Sequence, residues 1–203
     1  VQIAYADAAL IAIDKPAGML AVPGRGEHKR DCVAARVQAM FRDALVVHRL
    51  DMATSGLMLM ARGIEVQRRL SRAFARREVH KRYLAVVDGL VAAGATEIDL
   101  PLAADWPNRP RQKVDTTLGK PSLTRCRVLS HDLAAGTTRL ELEPVTGRTH
   151  QLRVHLQAIG HTIVGDTLYG APPHPRLLLH ACRIELVHPL SGEALCLRSE
   201  AAF

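Results

Sequence analysis

Asp51 stands in the segment VHRLDMATSGLMLMA (47–61), shortly after Arg49 and just ahead of Thr54, Ser55 and Gly56. A carboxylate so placed has two readings. It can be a turn-making Asx residue that accepts neighbouring backbone N–H groups, or it can be a nucleophile or acid–base group. Downstream, GRTHQLRVH (147–155) sets Arg148 at the beginning of a predicted helix. An arginine there could pair with a buried carboxylate and hold it ionised. Local pattern alone leaves open whether the two segments meet.

Other chemistries find less support in the residue spacing. His150 and His155 lie about 140° apart on a helix, whereas the HExxH spacing brings two ligands to one face. His48 and Asp51 have no third and fourth ligand clustered near them, so the histidines read as hydrogen-bonded structural residues and no metal site is expected. There is no GxSxG elbow for a serine hydrolase and no GxxxxGK[ST] or GxGxxG phosphate loop. The cysteines, Cys32, Cys126, Cys182 and Cys196, form no CxxC pair, and reduced thiols are the expectation.

The charge points to a polyanion. The chain has 203 residues and carries 27 Lys and Arg against 20 Asp and Glu, a net +7. A basic chain with no apolar run near the roughly 18 residues of a membrane span suggests nucleic acid rather than lipid. Aromatics are only 3%, which argues against a surface paved with stacking rings. On the predicted helix from Ile64 to Arg77, Val66, Leu70 and Phe74 recur every four residues and form an apolar stripe. Arg68, Arg72 and Arg76 recur two positions along, roughly 200° around, and so lie opposite it. That basic stripe fits a solvated face and a phosphate-tracking one equally well. Arg109, Arg111 and Lys113 make a second basic cluster beside Trp106, in a Pro-rich loop placed to reach over a ligand.

The elements that position these residues read as α+β. Strands are predicted at Leu10–Ile13, Ser55–Ala61 and Lys81–Asp88. Further strands follow at Val114–Thr117, Thr124–Leu129, Thr138–Glu143, Arg183–Val187 and Ala194–Arg198. Asp14 to Gly18 reads as a turn. Helices are predicted from about Cys32 to Phe41, capped by Asp31, and from Thr149 to Ile159, ended by Gly160. Strands outnumber helices without a βαβ rhythm, which predicts a mixed, largely antiparallel sheet with flanking helices. No repeat or linker divides residues 1–203, so a single domain is expected. The chain opens on Val1 with no basic-then-apolar leader, so a soluble, unexported, cytoplasmic protein is expected.

Taken together, the motifs resemble the RluA family of RNA pseudouridine synthases. His48-Arg49-Leu50-Asp51, followed by Thr54-Ser55-Gly56-Leu57, resembles that family's central HRLDxxTSG motif, and Gly147-Arg148-x-His150-Gln151-Leu152-Arg153-x-His155 its second signature. Asp14-Lys15-Pro16, Lys81-x-Tyr83-x-Ala85, Gly165-Asp166-x-x-Tyr169-Gly170 and Leu178-Leu179-His180-Ala181 match in family order. Ala21-Val22-Pro23-Gly24-Arg25, Asp51-Met52-Ala53-Thr54 and Asp105-Trp106-Pro107-Asn108-Arg109-Pro110 resemble the small dual-specificity branch, which modifies a uridine in the tRNA anticodon stem-loop and another in a 23S rRNA hairpin loop.

The resemblance implies the pseudouridine synthase fold with a central catalytic cleft, no N-terminal S4 domain, and a monomer. It also implies a cofactor-free isomerisation: the uracil N1–C1′ bond breaks, the base turns, and C5 joins C1′. Asp51 would be the nucleophile, with attack on the sugar, attack on the base and glycal formation all open. Arg148 would pair with Asp51 and hold it charged. Tyr83 would stack on the uracil and help move the C5 proton, and Arg49 would fill the space left by the extruded base. His48 and Thr54 would sit at the substrate, and Leu178 and Leu179 would line the uracil pocket, a role that plain core leucines would mimic. Arg68, Arg72, Arg76, Arg109, Arg111 and Lys113 would hold the RNA backbone. The competing reading is a non-catalytic RNA-binding or RNA-folding module.

Overall fold

The computed structural model describes residues 1–203, the side chain of His28 left aside. In chain order the elements begin β1 (Gln2–Ala6), β2 (Leu10–Lys15), α1 (Val33–Met40), β3 (Ala44–Val46), β4 (Ser55–Arg62), α2 (Ile64–Ala75) and β5 (His80–Asp88). They continue with β6 (Ala95–Asp99), β7 (Leu102–Ala104), β8 (Gln112–Val114), β9 (Leu123–Asp132), β10 (Thr137–Pro144), α3 (Gln151–Ala158), β11 (Leu179–Val187) and β12 (Ala194–Arg198). The chain divides into two units, Val1–Lys81 with His180–Ala202, and Arg82–Leu179 with Phe203.

In the first unit, β2 and β4 are apolar along almost their whole length and are buried on both faces. Continuous burial of this kind marks the middle of a sheet. β2 pairs antiparallel with β1 and with β4, β3 adds antiparallel to β4, and β12 adds antiparallel to β11. β4 and β11 pair in parallel, His180 opposite Ser55 and Ala181 opposite Gly56. Alternation sends Leu57, Leu59 and Ala61 to one face, where they join Leu10, Ala12, Ile184 and Leu186 in a core capped by Val66 and Leu70 of α2. Phe74 and Ala73 pack at its margin. Each fully buried leucine contributes roughly 1.5–3 kcal/mol, so α2 is held by its apolar stripe. Arg68, Arg72 and Arg76 are exposed, as the predicted helix faces require.

In the second unit β10 pairs antiparallel with β5 and with β9, and β9 with β6. β10 alternates strictly: Thr138, Leu140, Leu142 and Pro144 are buried, while Arg139, Glu141 and Glu143 face outward. β7 and β8 form a separate antiparallel pair. α3 is buried nearly all round, and Val154 packs with Leu102 and Tyr169.

The mixed α+β architecture agrees with the sequence expectation, while several boundaries move. β2 runs on through Asp14 and Lys15, because Asp14 and Lys15 still pair with Leu57 and Gly56 of β4. Helix α1 is capped by Cys32, whose Sγ accepts the Ala35 N–H at 3.4 Å; Asp31 instead holds Arg36 in a two-pronged ion pair. The expected strand at Val114–Thr117 lies two residues earlier, since the Asp115 carboxylate accepts the N–H groups of Thr117 and Leu118 and turns the chain. Helix α3 begins at Gln151, because His150 takes the left-handed conformation with φ 53°. The strands β1, β3, β6 and β7 are not expected from the sequence: β3 and β7 span three residues each, β6 buries only Ile98 and β1 buries no residue fully.

Gly56 shows why the parallel pairing needs its glycine. Its φ is +103°, and a Cβ there would lie 2.4 Å from the Ala181 carbonyl oxygen and 2.7 Å from its nitrogen. Gly56→Ala therefore meets backbone on a paired strand and a strained φ together. We expect it to lower unfolding free energy by about 3 kcal/mol or more, read from urea denaturation. A wild-type midpoint would contradict this account of the β4–β11 contact.

Candidate active site

The loop bearing Asp51 is fixed at both ends and in the middle. At its start, Nε2 of His48 accepts the Leu59 N–H at 2.8 Å, and the ring stacks on Phe74 with centroids 4.6 Å apart. Leu50 is buried in the interior. In the middle, the Met52 carbonyl accepts two bonds, from Gly18 N–H at 2.9 Å and from Nζ of Lys15 at 2.9 Å. Lys15 also donates to the carbonyls of Pro16 at 2.9 Å and Met19 at 2.7 Å, and it has no exposed surface. The Thr54 N–H closes a turn onto the Asp51 carbonyl at 3.1 Å.

At the loop's end a buried polar chain runs into the sheet. Ser55 Oγ lies 2.9 Å from Nδ1 of His180, whose Nε2 lies 3.0 Å from Ser199 Oγ. Ser199 in turn donates to Asp14 at 2.6 Å. Asp51 itself is half-buried, with exposed Arg49 and Met52 beside it and buried Thr54 three residues on. The first unit thus brings His48, Arg49, Asp51 and Thr54 together on one braced loop. His48 serves the fold there, because its ring joins β4 to α2.

The second unit holds the remaining expected residues. Tyr83 is half-buried on β5. Arg148 is exposed, three residues before α3, and its Nε–H reaches the Pro121 carbonyl at 3.4 Å. Gln151 shapes that turn: its Oε1 accepts the Arg148 N–H at 3.0 Å and the Thr146 hydroxyl at 2.7 Å, and its Nε2 donates to Leu123 O and Thr124 Oγ1. The Gln151 side chain thus ties the turn ahead of α3 to the start of β9.

Other residues of the same signature hold the fold. Arg153 and Asp166 form a buried two-pronged ion pair at 2.7 Å. His155 bridges Thr124 Oγ1 and the Leu100 carbonyl, both at 2.9 Å, and His150 lies 2.7 Å from the Tyr169 hydroxyl. Leu178 and Leu179 are buried, and the backbone of Leu178 exchanges bonds with Val86 and Val164.

The basic residues differ in what they do. Arg68 pairs with Glu65 at 2.6 Å and Arg76 with Glu78 at 4.0 Å, all exposed. Such pairs are worth at most about 1 kcal/mol, so neither arginine is held firmly by its carboxylate. Arg109 lies over the Trp106 ring, its guanidinium carbon 3.3 Å from the centroid. Lys113 pairs with Asp115 at 3.2 Å, and Arg111 is half-buried against Tyr169 with its Nε enclosed. Among the described residues no cluster of three His, Cys, Asp or Glu has the arrangement to hold a metal, and no helix is long and apolar enough to cross a membrane.

The sequence shows Asp14, Lys15 and His180 only as motif positions and gives no sign of Ser199, which joins His180 to Asp14. Ser55 and His180 are 125 residues apart and Asp14 and Ser199 are 185 apart, so no local signal joins them.

Residues 9–158 match the family model for RNA pseudouridylate synthase. The chain is 44% identical over 205 residues to the dual-specificity RNA pseudouridine synthase RluA of Escherichia coli K12, covering 99% of this chain and 93% of that protein. It is 46% identical to the protein of the same name from Yersinia pestis, covering 98% of each. Among solved structures, human RNA pseudouridylate synthase domain containing 1 matches with a TM-score of 0.81 at 28% identity, over 98% of this chain and 82% of that one.

The His48 brace makes stability depend on pH. Burial, reinforced by nearby Lys81, lowers the His48 pKa from 6.5 to about 3. Burial also lowers that of His155. Between pH 6.5 and 3 the unfolded chain binds more protons than the folded one, so this stability is full above pH 6.5 and is lost progressively below it. The urea midpoint should fall between pH 7 and 4.5, and His48→Gln, though less stable at pH 7, should show a shallower fall. An unchanged slope would contradict a neutral His48 brace.

Proposed function

The chain belongs to the RNA pseudouridylate synthase family, and from that premise we propose that it isomerises one loop uridine in each of two RNAs, a 23S rRNA hairpin and the tRNA anticodon stem-loop. The enzyme class itself follows from the family: this is an RNA pseudouridine synthase, an isomerase. The dual target is supported by 42–46% identity to relatives described as dual-specificity enzymes. Asp51 is assigned as the nucleophile. The observation that carries the assignment is the braced loop, which holds a half-buried carboxylate while its neighbours on both sides are tied down.

Tyr83 is assigned to stacking on the uracil and to moving its C5 proton, and Arg148 supplies the positive charge that a nucleophilic carboxylate needs to stay ionised. Arg49 fills the space of the extruded base. Thr54, Leu178 and Leu179 belong to the uracil side of the reading, and Arg109, Arg111 and Lys113 to the RNA backbone. Extrusion costs a few kcal/mol, less for a loop uridine that is already unpaired. The same proposal has residues 1–203 act as one catalytic domain, a monomer, in the reducing cytoplasm where RNA targets and four free thiols are both at home.

The test incubates the protein with chelator and no added cofactor, separately with each RNA, and maps pseudouridine by carbodiimide-dependent reverse-transcription stops. Stops at one loop uridine in both RNAs, absent with Asp51→Asn, are expected. Stops in one RNA would reduce the target to that RNA. Stops that survive Asp51→Asn would overturn the nucleophile, and RNA binding without stops in either RNA would favour the binding-module reading. Arg148→Ala should slow turnover by at least about 100-fold; a near-normal rate would remove Arg148 from the chemistry.

Helix α2 carries a separate expectation. Replacing Arg68, Arg72 and Arg76 together by Gln should weaken RNA binding and reduce the slope of log affinity against log salt by about 2–3. An unchanged slope would return the stripe to a solvated face.

A further inference from the structure

Trp106 is the chain's only tryptophan, and 67% of its surface is exposed. Tryptophan is highly buried on average in folded proteins, so this degree of exposure is unusual for its type. The turn that carries it is stiff. Asn108 N–H donates to the Asp105 carbonyl at 3.0 Å, Asn108 Nδ2 to the Asp105 carboxylate at 2.9 Å, and Arg111 N–H to the Asn108 carbonyl at 3.0 Å. Asp105 N–H returns to the Arg111 carbonyl at 3.0 Å, which closes the loop. The turn is fastened below by Gln112 N–H donating to the hydroxyl of buried Tyr169 at 2.9 Å. One face of the indole is already covered by the Arg109 guanidinium.

We propose that this Trp106–Arg109 stack is a platform for one unpaired nucleobase of the substrate RNA, taken on the open indole face. The inference rests on the proposed RNA substrates and adds to them a contact away from the target uridine.

The charge and shape of the stack favour a base over other occupants. The Arg109 cation on the covered face adds positive charge beside the ring, and this suits an anionic partner. A flat, rigid ring with one free face accepts any base by stacking, without reading its edge. Bases inside a duplex are already stacked, so the platform selects loop or bulge nucleotides, the kind of RNA the enzyme must find. Stacking that tolerates every base also suits an enzyme asked to hold two loops of different sequence.

Because Trp106 is unique, its fluorescence reports on the platform directly. With the full-length Asp51→Asn chain, a stem-loop RNA should quench the emission and shield it from acrylamide, while a fully paired duplex of equal length should not. In the otherwise wild-type enzyme, Trp106→Ala should raise the stem-loop Kd and KM on the order of ten-fold and leave kcat within about two-fold, and Trp106→Phe should recover part of the loss. The position is exposed, and an unchanged urea midpoint would confirm that the variants fold. Unaltered emission at RNA saturation, with saturation shown by filter binding, would overturn the platform and give this surface to a protein partner. Wild-type Kd and KM in Trp106→Ala would overturn it as well, while leaving the isomerase reading intact. If the wild-type enzyme modifies neither RNA, it is the substrate reading that fails, and fluorescence quenching still judges the platform as an RNA contact.

Discussion

A fully buried ammonium costs several kcal/mol unless each of its protons finds an acceptor, and at Lys15 the acceptors are the carbonyls of Pro16, Met19 and Met52. Moving residues 16–19 or residue 52 would strand a donor out of reach of water. The loop beside Met52 is therefore held by the cost of leaving that amine unsatisfied, and Asp51 sits within it. The stacked His48, the Ser55–His180 contact and the parallel β4–β11 pairing hold the same stretch from its two ends.

Such restraint suits the reaction of this family. An isomerisation that detaches a base, turns it and rejoins it to the same sugar gains little from new binding energy during the turn. It depends on groups already placed where charge and bonds change. A loop anchored through backbone carbonyls, a buried ammonium and a neutral imidazole supplies that placement. The second unit uses the same device, with neutral Gln151 shaping the turn of Arg148.

Much of this was legible in the residues. The two faces of α2 follow from four-residue recurrence, and β12 runs over Ala194–Arg198 as its alternation predicts. Asp51, Tyr83 and Arg148 stand out through the family motifs they occupy, and the roles proposed for them rest on that resemblance. What was not legible is long-range or conformational. Cys32 displaced Asp31 as a helix cap because Arg36 takes the carboxylate. Helix α3 starts late because His150 turns left-handed to meet Tyr169. The chain from Asp14 through Ser199 and His180 to Ser55 joins residues whose separation no periodicity spans, and only the sheet's parallel register brings them together.

The most direct test follows the hydrogen on the uracil C5, which must leave when that carbon joins the sugar. A stem-loop RNA labelled with tritium at C5 of its uridines, incubated with the wild-type chain, should release one uridine's worth of tritium to water and then stop. The Asp51→Asn chain should release none while binding the same RNA. Release that continues past one uridine per loop, or equal release by the Asn variant, would contradict an isomerisation carried by the carboxylate on the braced loop.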